Sequence, residues 1–94
     1  MATYIFAGKY TSKAIKGISS QRTEEARKMM KQLGGEILSM YAILGEKDVL
    51  IIASLPGADQ AVKASVMLSK STGIAFSTSQ AFPVEEFDKL MAGV

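Results

Sequence analysis

Ser39-Met40-Tyr41-Ala42-Ile43-Leu44-Gly45-Glu46-Lys47-Asp48-Val49-Leu50-Ile51-Ile52-Ala53-Ser54-Leu55 decides the reading of this chain. Two apolar runs, Met40 to Leu44 and Val49 to Ala53, flank the polar tetrapeptide Gly45-Glu46-Lys47-Asp48. Each run has the length of a strand and is too short for a helix, and the glycine and charges between them suit a tight connection. The stretch predicts a β-hairpin with strands from Glu36 to Leu44 and from Val49 to Leu55. Pro56-Gly57 closes it, because proline cannot extend a central ladder.

A loop of two or four residues sets Leu44 opposite Val49, so that facing residues have numbers summing to 93. One face then holds Met40, Ala42, Leu44, Val49, Ile51 and Ala53, and the other holds Ser39, Tyr41, Ile43, Leu50, Ile52 and Ser54. Both are apolar at their centres, whereas a sheet with one wet side alternates apolar with charged residues. Four such strands present roughly 20 by 20 Å, or ~400 Å². Covering that area contributes on the order of 10 kcal/mol before the cost of association. A homodimer, or a multiple of one, is therefore expected, with Tyr41, Ile43, Leu50 and Ile52 in its interface.

Outward from the hairpin, Tyr4 to Gly8 reads as a first strand. A helical pattern follows from Thr11, with Ser12 or Ser20 as N-cap and Arg22, Ala26, Met29, Met30 and Leu33 on one side. Gly34-Gly35 supplies a left-handed stop. Beyond the hairpin a second helix is expected from near Asp59, with Ala61, Val62, Ser65, Leu68 and Ser69 on its packed face and Gly73 ending it. Ile74 to Phe82 reads as the fourth strand. Pro83 then opens a terminal helix, Val84 to Met91, whose stripe of Val84, Phe87, Leu90 and Met91 is expected to pack on protein. The order β-α-β-β-α-β plus a helix is the α+β, ferredoxin-like arrangement, with both long helices on one face of a four-stranded antiparallel sheet.

The chain has 94 residues, room for a single domain over 1–94. Eleven Lys and Arg against nine Asp and Glu give a net charge of +2, with acids mixed among the cations, so neither a nucleic-acid partner nor a membrane partner is indicated. With no basic start and no long apolar segment, a soluble cytoplasmic protein is expected. The chain contains no Cys and no His, so disulfides, imidazole catalysis and the usual zinc, haem and iron ligands are unavailable within it. Glu24-Glu25 and Glu85-Glu86 diverge at helical i, i+1 spacing, and Lys47 opposes a cation between Glu46 and Asp48. No metal, no cofactor and no assignable catalytic residue are expected.

Four side chains are candidates for contact with a small molecule. Asp48 either places a carboxylate at a pocket mouth or bonds local amides of its turn. Tyr41 either orients a ligand with its phenol or fills the dimer core. Lys9 and Tyr10 lie in Gly8-Lys9-Tyr10-Thr11-Ser12, between a strand and a helix, the context of an anion site without the glycine spacing of a phosphate loop. Met29, Met30, Met40 and Met67 suit either an adaptable pocket or ordinary core filling.

Tyr4 to Thr11, the Leu33-Gly34-Gly35 step and above all Leu44-Gly45-Glu46-Lys47-Asp48-Val49-Leu50 resemble the GYD domain family, small bacterial proteins similar to the dimeric α/β barrel superfamily. Gly45 and Asp48 match the family pattern, and Lys47 stands where the family has a tyrosine. The resemblance covers nearly the whole chain to about Phe82 and implies a dimer with a pocket. Similar superfamily members include ligand-sensing domains of amino-acid-responsive regulators and small monooxygenases and isomerases. The expected function is a homo-oligomeric small-molecule-binding or sensing module. The alternative is a cofactor-independent monooxygenase or isomerase acting on an aromatic or enolic compound, with Tyr41, Asp48 or Lys9 moving the proton; such a base would need a strongly desolvated carboxylate or amine.

Overall fold

The computed structural model describes all 94 residues, as β1 (Ala2–Lys9), α1 (Ser12–Lys16), α2 (Ser20–Gln32), β2 (Glu36–Ala42), β3 (Val49–Leu55), α3 (Ala58–Thr72), β4 (Ala75–Ala81) and α4 (Val84–Met91). The strands form one antiparallel sheet of order β2-β3-β1-β4. Its two crossovers carry α1 with α2 and α3, and both long helices bury residues in the same core as β1 and β3. This is the ferredoxin-like βαββαβ arrangement with an added terminal helix.

The central strands show how side chains divide between faces. Along β3, Val49, Ile51, Ala53 and Leu55 are buried beneath the helices, while Leu50, Ile52 and Ser54 are only partly covered. Along β1, Tyr4 and Phe6 are buried on the helix side, and Ile5 and Ala7 pair with Ile52 and Leu50 on the open side. Apolar side chains therefore line the middle of both faces. On β4, small Ala75, Ser77, Ser79 and Ala81 share the open side, pairing with Lys9, Ala7, Ile5 and Thr3 of β1.

The hairpin register differs from expectation by two. Ala42 pairs with Val49, Tyr41 with Leu50 and Met40 with Ile51, so facing numbers sum to 91. The Ile43 N–H donates to the Asp48 carbonyl at 2.9 Å, leaving Leu44 in the connection and fully exposed. The strand ends earlier because Asp48 is held elsewhere, as described below. A shift by an even number keeps every side chain on its face, so Tyr41, Leu50 and Ile52 lie on the open side as expected, whereas Ile43 and Leu44 leave the ladder. A bulge between Ile37 and Ser39 adds a further change, bringing Ile37 opposite Ala53 and leaving Leu38 unpaired and exposed.

Helix boundaries follow the glycines and hydroxyls. The first helical pattern is two helices, since Gly17 ends α1, and the caps are Thr11 and Ser19, not Ser12 or Ser20. Their hydroxyls accept from the Ala14 and Arg22 amides at 3.1 Å each. Gly34 is left-handed at φ +83; its N–H donates to the Lys31 carbonyl and that of Gly35 to Met30, the paired bonds of a Schellman stop. Gly35 must stay bare for a second reason: a Cβ there would lie 2.1 Å from the Ser54 carbonyl oxygen. In α3 the packed residues are Ala61, Ala64, Leu68 and Thr72, and Val62, expected inside, points outward. The three-to-four-residue helical period returns to Ala64 and Thr72 and rotates Val62 out of the contact. The stripe of α4, expected to pack on protein, stays largely exposed in its own chain, and none of its residues is buried.

Candidate functional site

Three side chains on the helix side of the sheet close over Gly8. A Cβ at Gly8 would fall 2.6 Å from Ile74, 2.7 Å from Val49 and 2.8 Å from Phe76, so the bare glycine lets all three approach. They form part of the floor of a cavity of about 290 Å³ between the sheet and helices α2 and α3, completed by Ile51 and Leu68. Ala26 and Met40 make its walls. Its volume is at the lower end of ligand sites, and its lining is mainly apolar.

Polarity is confined to the rim. Tyr10, Arg22 and Arg27 contribute to it, whereas Tyr41 borders the cavity from β2 with its side chain on the open face beside Leu50. The Arg22 Nη1 donates to the Ala14 carbonyl at 2.6 Å, and its guanidinium carbon lies 5.7 Å from the centre of the Tyr10 ring. That bond and the cation–π contact hold the guanidinium in place while leaving further N–H donors unspent. Arg27 is half-exposed and 3.8 Å from the Glu24 carboxylate, a surface pair too weak to remove it from use. The Thr72 hydroxyl, although it lines the cavity, donates to the Leu68 carbonyl at 2.7 Å and accepts from the Ile74 amide at 3.0 Å. The cavity thus offers an apolar interior and a rim of two guanidinium groups and the Tyr10 phenol.

The structure divides the sequence-derived candidates. Tyr10 reaches the cavity, whereas Tyr41 only borders it from β2, its side chain lying with Leu50 on the open face. Asp48 and Lys9 serve the hairpin connection: the Tyr10 N–H donates to the Asp48 carboxylate at 2.7 Å, the Asp48 N–H to the Gly8 carbonyl at 2.8 Å, and the Lys9 ammonium to the Glu46 carbonyl at 3.1 Å. The Asp48 carboxylate thereby bonds an amide 38 residues away rather than one in its own turn. Thr11 extends the same seam by donating to the Gly73 carbonyl at 2.7 Å. Of the methionines, Met40 lines the cavity, Met30 is fully buried and Met67 is exposed. Sequence reading passed over Arg22 and Arg27 as site residues. The signal for Arg22 was present: an arginine on the same helical side as Ala26 and Met30 must place its charge at the border of the core.

The GYD domain family model matches residues 4–91. No curated relative matches the chain. Among solved structures, the leucine response regulatory protein (LrpA) of Mycobacterium tuberculosis is similar in fold, with a TM-score of 0.58 at 10% identity. The match covers 87% of this chain and 51% of that one, so the chain spans about half the length of its structural neighbour.

Proposed function

This chain belongs to the GYD domain family, and from that premise we propose that it is a non-enzymatic, homo-oligomeric small-molecule-binding module, a single domain of the bacterial cytoplasm. The observation that carries this reading is the 290 Å³ cavity with Arg22, Arg27 and Tyr10 at its rim. An apolar floor with guanidinium donors above it suits a small apolar molecule with one anionic end, such as an aromatic or branched aliphatic carboxylate. The fold likeness to the leucine response regulatory protein of Mycobacterium tuberculosis is in keeping with a module that responds to a small molecule.

Self-association through the open sheet face is the second part of the reading. Ile5, Ala7, Leu50 and Ile52 form its apolar centre, Tyr41 stands beside them, and the small side chains of β4 leave room for a facing sheet to approach. The oxygenase or isomerase alternative is less well supported. Two of its proton carriers, Asp48 and Lys9, are engaged with backbone groups of the hairpin seam and are absent from the cavity lining.

Native mass spectrometry of freshly purified protein reads oligomer mass and any retained small molecule together. Thermal melts with benzoate, phenylacetate and branched-chain 2-oxo acids then test the class. Saturation at a hundred times Kd adds about 2.7 kcal/mol, several degrees in a domain of this size, and Arg27→Gln is expected to abolish most of that gain. A monomer mass at micromolar protein, or melts unmoved by millimolar carboxylates, would overturn the corresponding half of the reading.

A further inference from the structure

We propose that α4 is an exchanged arm, whose apolar stripe seats in the groove between α3 and β4 of a second copy of this chain. Val84, Phe87, Leu90 and Met91 are between 44 and 69% exposed, and no residue of α4 is buried. An eight-residue helix is not held together by its own hydrogen bonds and needs a packed surface. Its own body does not wrap around it. The radius of gyration is 14.2 Å and the longest dimension 51 Å, against about 12.4 Å expected for the radius of a compact chain of this length. The exit from β4 is short and extended: Phe82 and Pro83 alone link the two elements, with Pro83 at φ −53, ψ 142.

The receptor is a groove of about 430 Å³ lined by Tyr4, Ala61, Val62 and Val66, among others, between α3 and β4. Val62 and Val66 are more than half exposed on the outer side of α3, apolar side chains that their own chain leaves uncovered. Charge agrees with the pairing. The polar side of α4 carries Glu85, Glu86 and Asp88 with the single cation Lys89, whereas α3 offers Lys63 and Lys70 against Asp59.

Area selects the occupant. With side chains on the order of 150–200 Å² each, the exposed stripe amounts to roughly 350 Å². One arm in one groove buries ~700 Å² over both surfaces, short of the ~1,200 Å² at which specific interfaces become stable. Two arms exchanged reciprocally bury ~1,400 Å², within the standard range. Only a second copy offers that reciprocity, since a foreign peptide fills one groove and leaves the arm bare. These surfaces are separate from the open sheet face, so the exchange stands or falls apart from sheet pairing.

The absence of cysteine makes the test clean. Full-length Val66→Cys and Leu90→Cys proteins, mixed and oxidised, are expected to give a heterodisulfide of dimer mass well above either homodisulfide. In sedimentation, Phe87→Glu is expected to raise the dissociation constant at least tenfold while the circular dichroism spectrum stays native. A Val66→Cys/Leu90→Cys double variant that closes an internal disulfide at high dilution would place α4 on its own groove and overturn the exchange. A mixed pair that fails to cross-link, with Phe87→Glu assembling as the parent does, would overturn it too. An Ile52→Glu protein that loses sheet pairing but still cross-links separates the two interfaces.

Discussion

The two faces of β1 and β3 carry similar residues and meet different fates. On one side Phe6, Ile51, Ala53 and Leu55 are almost wholly buried under α2 and α3; on the other Ile5, Ala7, Leu50 and Ile52 are only partly covered by their neighbours in the sheet. Hydrophobicity does not distinguish them. Helices occupy one side because both crossovers turn with the same hand, and the residue types on the remaining side call for a cover that the chain itself does not supply. The contrast therefore separates the residues that fold the chain from those that carry the proposed self-association.

The largest expected effect lies on the helix side. Phe6→Ala empties a fully buried site and is expected to cost about 3–5 kcal/mol in urea unfolding, equally at every protein concentration. Ile5→Ala, one residue away, is the sharpening control: its cost should grow with protein concentration, because its full burial requires a partner. Equal and concentration-independent losses for the two variants would break the comparison.

Next comes Ile52→Glu, which places an unpaired charge in the proposed interface. A penalty of roughly 3 kcal/mol corresponds to a dissociation constant raised about a hundredfold in sedimentation. The unfolding free energy of the dilute monomer should change far less. A dimer indifferent to this substitution would assign the open face to solvent.

A smaller loss is expected from Gly8→Ala, which returns to the helix side. Its Cβ would press on Ile74, Val49 and Phe76, all of them side chains able to shift, so about 1–3 kcal/mol is expected. Because the same three residues line the cavity, carboxylate binding measured by calorimetry should weaken with it. Binding left intact would move the ligand away from that floor.

The smallest effect belongs to the seam that joins the two sides at the hairpin. Asp48→Ala removes the acceptor of the Tyr10 amide and should cost on the order of 1 kcal/mol, since the group is only part-buried and water can replace the bond. Amide exchange at Tyr10 should speed up while Phe6 stays protected. Equal acceleration at both would mean that the seam governs the core.

Much of this was legible in advance. Period-two runs marked the strands, Gly34 and Gly73 marked the helix ends, and the hairpin placed Tyr41, Leu50 and Ile52 on one face. The bulge at Leu38 was not legible, because an extra residue in an apolar run leaves no mark in composition and is set by the partner strand. Nor was the shift by two in register. Asp48 is held by the Tyr10 amide 38 residues away, and the pull of that bond on the turn is invisible to local pattern. Val62 fits the i, i+1, i+4 spacing of Ala61 and Ser65, yet the helix turns it outward toward the groove.

Local rules are enough to determine the strands, the helices, their order and the apolar character of both sheet faces, because each depends on neighbours within a few positions along the chain. The cavity and the bare arm depend on distance in space. Tyr10, Arg22, Met40, Val49, Leu68 and Phe76 meet at one site only after β1, α2, β2, β3, α3 and β4 have packed. The stripe of α4 is amphipathic in the sequence whatever surrounds it, and only the tertiary structure shows that, beyond the extended exit at Pro83, none of its residues is buried.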